Sequence, residues 1–171
     1  MDESADFTQG QQEIPQAAPL WDYAVAQYRR PGVAEACLAL QDDYGADVLL
    51  LLCAAYMAAR GVALSAEVAA ELEACAADLR SQLVEPLRRL RKGQRPPPGA
   101  DGEQRAVYEA LKAAELLAER WQLSRLAAAL PPGVGNASAG ETLLADNLAA
   151  IVGPGGRVPA EKLAALAERL G

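Results

Sequence analysis

The sequence contains no histidine, and this absence removes several kinds of catalytic and metal site. A Ser-His-Asp triad, a Cys-His pair and a histidine zinc site all need an imidazole, as does the Glu-x-x-His motif of di-iron bundles. The serines therefore lack a histidine base, and no Ser-x-x-Lys motif supplies a lysine in its place. We expect no catalytic residue, no metal and no cofactor. Whether the protein is an enzyme stays open, with a non-enzyme favoured.

Cysteine is also scarce, and the three that are present, Cys37, Cys53 and Cys75, lie far apart. They form no Cys-x-x-Cys pair, which excludes a zinc ribbon and a thioredoxin-like site. Buried free thiols in a reducing compartment are the simplest interpretation. The first 19 residues lack the features of a secretory signal, and the longest apolar run, residues 48–59, is too short to cross a bilayer. We expect a cytoplasmic protein that does not enter a membrane.

Aromatic residues make up only 5% of the 171 residues, whereas alanine is abundant, with 38 copies. Alanine favours helices, while strands favour the β-branched and aromatic residues that are few here. No stretch alternates polar and apolar side chains over the length of a strand. Because 51% of the residues are hydrophobic, the chain can bury a sizeable core. The sequence predicts an all-α, single-domain bundle of six to seven helices.

Helical periodicity, capping residues and glycines divide the chain into its predicted helices. Asp47 and Ser65 stand where N-caps belong, and Pro86 is expected to kink or divide one helix near Leu83. The helix that starts at Val48 is apolar nearly all round, so we expect it at the centre of the bundle. The predicted spans are 20–30, 33–44, 48–60, 66–91, 103–130, 141–152 and 159–170.

Three further features describe the organisation of the chain. Residues 1–18 hold four acids and no base and are predicted to be a flexible acidic tail, ahead of a helical domain over residues 19–171. Residues 93–102 are rich in proline and glycine, which predicts an exposed loop. The long helix after this loop has an apolar stripe that we expect to face the core. The stripe consists of Val107, Leu111, Ala114, Ala118 and Trp121.

The net charge is −7, but residues 80–95 carry six bases and one acid. One short basic segment does not provide the extended positive surface that nucleic acids require, so we expect no nucleic-acid binding. Arg88, the adjacent Arg91 and Lys92, and Arg95 fall on one helix face. They could be a solvated helix end that complements the macrodipole, or a docking surface for an acidic protein or a phosphate-bearing ligand.

Several polar residues at helix edges are further candidates. Gln41 flanks the apolar face of the second helix, where a buried amide would fix a helix junction or contact a ligand. Glu115 lies at the edge of the predicted stripe, and opposite Arg88 or Arg91 it would form a structural ion pair. A polar pocket floor is the other interpretation of Glu115. The candidate ligand or partner residues are Gln41, Arg88, Arg91, Glu115, Glu119 and Arg120.

Three stretches of the chain carry a family pattern. They contain Leu20-Trp21-Asp22-Tyr23-Ala24 with Pro31-Gly32-Val33 and Cys37-Leu38-x-Leu40-Gln41-Asp42-x-x-Gly45-x-Asp47-Val48, then Pro86-Leu87-Arg88-x-Leu90-Arg91, and Lys112-x-x-Glu115-Leu116-x-Ala118-Glu119-Arg120. Over residues 20–130 the chain resembles a proteobacterial family of conserved hypothetical proteins with a domain of unknown function. Leu49 departs from the pattern, which usually has a polar residue there. The resemblance implies a small, mostly helical cytoplasmic protein and brings no activity.

Two functions follow from these observations. The leading hypothesis is a non-catalytic binding or adaptor protein that contacts an unknown protein partner. The alternative is a small-molecule-binding protein or an enzyme with a polar site between helices, which requires its side chains to converge on one cavity. A homodimer formed through apolar helices is a third hypothesis. The polar site of the alternative would consist of Gln41, Arg88, Arg91, Glu115 and Glu119.

Overall fold

The computed structural model describes residues 19–131, 141–154 and 156–171, and these form a bundle of α-helices in which no residue belongs to a strand. A π-helical turn joins α4 to α5, so the bundle has seven helices when these two count as one. The all-α fold is confirmed; the tail predicted for residues 1–18 lies outside the described residues. The elements are α1 (Pro19–Tyr28), α2 (Val33–Tyr44), α3 (Val48–Ala59), α4 (Ala66–Leu79), the π turn (Arg80–Val84), α5 (Glu85–Gly93), α6 (Gly102–Ala129), α7 (Glu141–Val152) and α8 (Ala160–Leu170).

Helix α3 is the centre of the bundle, as predicted. Eight of its 12 residues are buried, and it packs against α1, α2, α4, α6 and α7. It contains no charged residue, so it can be surrounded by neighbours on all sides. Asp47 begins it: Oδ1 accepts hydrogen bonds from the backbone N–H groups of Leu49 at 2.9 Å and Leu50 at 3.3 Å. The predicted cap therefore satisfies two donors that have no partner within the helix.

The interruption between α4 and α5 follows from Pro86. Proline has no N–H to donate, and in a regular α-helix its ring would clash with the carbonyl of Gln82. The chain widens into the π turn instead, where the N–H of Glu85 bonds the carbonyl of Arg80, five residues earlier. The division predicted near Leu83 is therefore present.

Helix α6 buries only Ala118 of the stripe that its sequence predicted. Val107 and Trp121 are 51% and 55% exposed. The helix is rotated by roughly 80° from the predicted orientation, taking 3.6 residues per turn. Alanine and leucine occur all around this helix, so its apolar residues do not define one face. The buried residues of this helix are Glu115, Ala118, Gln122, Leu123 and Leu126.

A buried amide does fix a helix junction, but it is Asn147 on α7 rather than Gln41. Its Oδ1 accepts from the N–H of Leu64 at 2.8 Å, and its Nδ2 donates to the carbonyls of Val62 at 2.9 Å and Ala54 at 3.3 Å. One side chain thus satisfies three backbone groups around the connection from α3 to α4. Gln41 is only half-buried on α2.

The three thiols are free, with Cys37 and Cys53 buried and Cys75 partly buried. Burial raises the pKa of Cys37 to about 11 and that of Cys53 to about 12, so both thiols stay protonated at neutral pH. They behave as small apolar side chains of the core. Within the described ranges, the helices are too short or too polar to cross a membrane.

Candidate functional site

Four of the predicted residues meet between α5 and α6 in what we call the ion cluster: Arg88, Arg91, Glu115 and Glu119. Arg88 donates from Nε to Glu115 Oε1 at 2.9 Å and from Nη2 to Glu119 Oε1 at 2.7 Å. Arg91 donates to Glu115 through Nε and, at 3.3 Å, through Nη2. The predicted ion pair of Glu115 with Arg88 or Arg91 is confirmed, because Glu115 binds both.

The spacing of these residues explains why they meet. Arg88 and Arg91 are three residues apart on α5, and Glu115 and Glu119 are four apart on α6, so each pair lies on one helix face. The π turn before α5 sets which face of that helix points to α6. Glu115 is only 6% exposed, and a carboxylate in such a place requires charged or hydrogen-bonding partners. The two arginines supply them.

The pKa values of the two carboxylates in the ion cluster are shifted in opposite directions. Burial acts to raise the pKa of Glu115, but hydrogen bonds from Arg91 and Arg88 outweigh it and hold this pKa below its ordinary value. Burial raises the pKa of Glu119 above its ordinary value, although the charge and hydrogen bond of Arg88 oppose this. The negative charges of Glu115 and Asp47 raise it further. Glu115 is thus stabilised as a carboxylate, whereas Glu119 is ionised at a cost.

A second group, which we call the cap cluster, consists of Asp47, Glu73, Arg80 and Gln122. Asp47 Oδ2 accepts from Arg80 Nη1 at 3.1 Å and from Gln122 Nε2 at 2.8 Å. Arg80 also binds Glu73, with an Nη1 to Oε2 distance of 3.1 Å. The N-cap carboxylate of α3 is therefore also the point where the π turn and α6 are attached to that helix.

Sequence reasoning missed the cap cluster except for the capping role of Asp47. One signal was present: Gln122 is seven residues after Glu115, so both lie on the same face of α6. Gln122 is 1% exposed, and its Oε1 is the one buried side-chain polar atom without a partner in the part of the chain that the structure describes. Glu73 is seven residues before Arg80, a second same-face spacing. The bond of Arg80 to Asp47 carried no local signal, because these two residues are 33 positions apart.

The remaining predicted residues lie outside both clusters. Gln41 is adjacent to Asp42, whose carboxylate binds Lys92 Nζ at 2.9 Å. The guanidinium of Arg120 lies over the ring of Trp21, with 5.3 Å from Cζ to the ring centroid, which is a cation–π contact between α6 and α1. Among the described residues, Arg120 forms no ion pair with the ion cluster, and Gln41 donates no hydrogen bond to it.

The chemistry of the two clusters is that of ion pairing. Arg80, Arg88 and Arg91 each donate to at least one carboxylate, so much of the basic segment 80–95 is neutralised within the chain. Over the described ranges, no three His, Cys, Asp or Glu side chains are grouped so that they could hold a metal ion. The arrangement attaches α3 and α5 to one side of α6.

The other side of α6 is apolar and faces solvent. Val107, Leu117 and Trp121 are 51%, 54% and 55% exposed. These residues and the small residues between them follow one another at alternating intervals of three and four positions. This is the heptad spacing of helix-pairing surfaces. Sequence reasoning assigned part of this surface to the core. The outer stripe, as we call it, consists of Val107, Ala110, Ala114, Leu117, Trp121, Ser124 and Ala128.

A family model described as protein of unknown function (DUF2390) matches residues 19–126. Because the match covers more than half of the chain, the protein belongs to this family. The matched region contains both clusters and the large residues of the outer stripe. No curated protein and no solved structure matches the chain.

Proposed function

We propose that the protein is a non-catalytic binding protein that acts through contact with another protein, and that the outer stripe is its recognition surface. The observation that carries this proposal is the row of Val107, Leu117 and Trp121 exposed on one helix. Exposed apolar surface costs about 25 cal/mol per Å² relative to burial. Single exposed apolar residues are ordinary, but a contiguous row typically marks an interaction site. Tryptophan is also among the residues that contribute most to protein interfaces.

The attachment of α6 supports this role. The 28 residues of α6 make a helix about 42 Å long. The ion cluster and the cap cluster hold its inner face against α5 and α3. The outer stripe is therefore presented on a helix that is already formed, which reduces the ordering cost of binding. The buried thiols of Cys37 and Cys53 support a reducing location such as the cytoplasm.

A protein partner has more support than the alternatives. The small-molecule site would require Arg88, Arg91 and the two glutamates to face a ligand, whereas they bind one another. A basic docking face on α5 would require the same arginines to point outward. The outer stripe needs no rearrangement of either cluster.

The proposal can be tested by the native size of the endogenous protein in a fresh lysate, measured by size exclusion and immunodetection. We expect wild type to elute well above the 17.9 kDa of one chain, and Leu117→Asp to elute as a monomer. A charge at this position is tolerated by the fold, because Leu117 is 54% exposed, but not by an apolar interface.

The matched control is Leu38→Asp, since Leu38 is 46% exposed and lies on α2. This variant should elute like wild type. Monomeric elution of wild type, or loss of the complex in the control but not in Leu117→Asp, would contradict the proposed recognition surface. Circular dichroism of each purified variant establishes that it is folded.

A further inference from the structure

We infer that the molecule bound by the outer stripe is a second copy of this chain, with the two α6 helices packed antiparallel about a two-fold axis near Glu115 and Leu116. This inference rests on the proposed function, because it names the partner of the same surface. It adds the identity of that partner and the direction and register of the contact. A two-fold contact uses the same surface on both molecules, so assembly stops at two copies.

The sizes of the side chains in the outer stripe support an antiparallel register. With the axis between residues 115 and 116, Trp121 of one copy faces Ala110 of the other, and Leu117 faces Ala114. Val107 faces Ser124 in the same register. Every large side chain is then opposite a small one, which is the arrangement that fills space between two helices without overlap.

A parallel pair would not have this complementarity. Identical residues would face each other, so Trp121 would meet Trp121 at one level and Ala110 would meet Ala110 at another. The helices would be held apart by the tryptophans and leave a gap beside the alanines. The heptad spacing by itself permits both directions, and it is the order of large and small residues that distinguishes them.

The charges at the two ends of the outer stripe favour the same direction. Glu103 lies in the first turn of α6, in line with the stripe, and Arg125 lies in the last third, on the edge of the stripe; both are exposed. Neither forms an ion pair with the residues that the structure describes. In the antiparallel register Glu103 of each copy approaches the end that carries Arg125 of the other, twice per dimer. A parallel pair would instead bring Glu103 close to Glu103 and Arg125 close to Arg125.

The test is the mass of the purified full chain, measured by sedimentation equilibrium over a range of concentrations. We expect wild type to reach twice the 17.9 kDa of one chain and Leu117→Asp to remain at the mass of one. Glu103→Arg and Arg125→Glu should each raise the dissociation constant about tenfold, since each affects two symmetric contacts. The double variant Glu103→Arg/Arg125→Glu should restore the affinity of wild type.

A matched control tests whether a charge reversal elsewhere on α6 also changes the dissociation constant. Arg105 is exposed on α6 outside the outer stripe, so Arg105→Glu should leave the dissociation constant unchanged. Circular dichroism is needed for Glu103→Arg in particular, because an acid in the first turn stabilises the helix. A double variant that is weaker than either single variant would contradict the antiparallel register.

The outcomes also separate this inference from the proposed function. A purified wild type that is monomeric at every concentration overturns the inference. If the lysate complex nevertheless depends on Leu117, the partner is a different protein and the proposed function is retained. If the purified monomer already shields Trp121 from acrylamide quenching, the chain covers its own outer stripe, and both the inference and the proposed function fail.

Discussion

At the scale of single residues, Glu115 and Glu119 show how the pKa values of two identical side chains can be shifted in opposite directions. They are one helical turn apart, and both bind Arg88. Glu115 also accepts from Arg91, and its lowered pKa means that the folded state favours its ionised form. Glu119 has one arginine and two nearby negative charges, and its raised pKa means that the folded state favours its protonated form. The difference is in the partners, not in the residue type.

We expect Glu115→Gln to lower the free energy of unfolding at neutral pH by about 2–3 kcal/mol, because it leaves two partly buried guanidiniums without their shared carboxylate. Glu119→Gln should change it by less than about 1 kcal/mol, in the stabilising direction, because it removes a carboxylate that is ionised at a cost. Urea unfolding followed by circular dichroism measures both.

The pH dependence of these two variants has opposite signs. The pKa of Glu115 is lowered in the folded state, so its ionised carboxylate contributes to the free energy of unfolding above the unfolded-state pKa. This contribution is lost as the pH falls through the folded-state pKa. The difference in stability between wild type and Glu115→Gln should therefore shrink in acid. The pKa of Glu119 is raised in the folded state, so its contribution to the free energy of unfolding is present below the unfolded-state pKa. That contribution is lost as the pH rises through the folded-state pKa. Equal destabilisation by both variants at neutral pH would contradict this account.

At the scale of elements, the π turn sets the rotation of α5. It adds one residue to a helical turn, so α5 is rotated relative to a regular continuation of α4. With this rotation Arg88 and Arg91 reach Glu115. The same turn gives Pro86 room, and Arg80 at its start is held by Asp47 and Glu73. Residues before and after the π-helical interruption therefore both form ion pairs: Arg80 at its start, and Arg88 and Arg91 after it.

Deletion of Gln82 tests the role of the turn. We expect a loss of at least about 3 kcal/mol of unfolding free energy, because a regular helix would place Pro86 in a forbidden position and rotate both arginines away from Glu115. Gln82→Ala is the matched control, since Gln82 is exposed and its side chain should contribute little. Urea unfolding of both proteins gives the difference. A deletion variant as stable as Gln82→Ala would show that the register of α5 does not depend on the turn.

The elements also show which features local sequence signals can predict. The start of α3 at Asp47 and of α4 at Ser65 follows from residues within three positions of each cap. The rotation of α6 could not be predicted in this way. It depends on Arg88, 27 residues from Glu115, and on Asp47, 75 residues from Gln122. Where alanine and leucine surround a helix, such distant polar partners determine which face is buried.

At the scale of the whole molecule, the sequence predicted which helix lies at the centre of the bundle better than it predicted which residues form the surface. Because α3 is apolar on all sides, it was expected to be surrounded by other helices, and eight of its residues are buried. The outer stripe could not be predicted, because a row of apolar residues on a long helix is more often core than surface. The ion cluster was predicted in part, as a pairing of Glu115 with an arginine of α5. The structure was needed to show that both Arg88 and Arg91 are paired within the chain and only partly exposed.

The account as a whole assigns two tasks to α6: its inner face attaches the helix to the bundle, and its outer face binds another protein molecule. The measurement that tests this most directly is photo-crosslinking in living cells, with a photoreactive residue in place of Leu117 or, as the control, of Arg105. Both positions are exposed on α6, but only Leu117 belongs to the outer stripe. We predict a discrete covalent adduct from position 117 and none from position 105. Adducts from neither position, or from position 105 alone, would contradict the account.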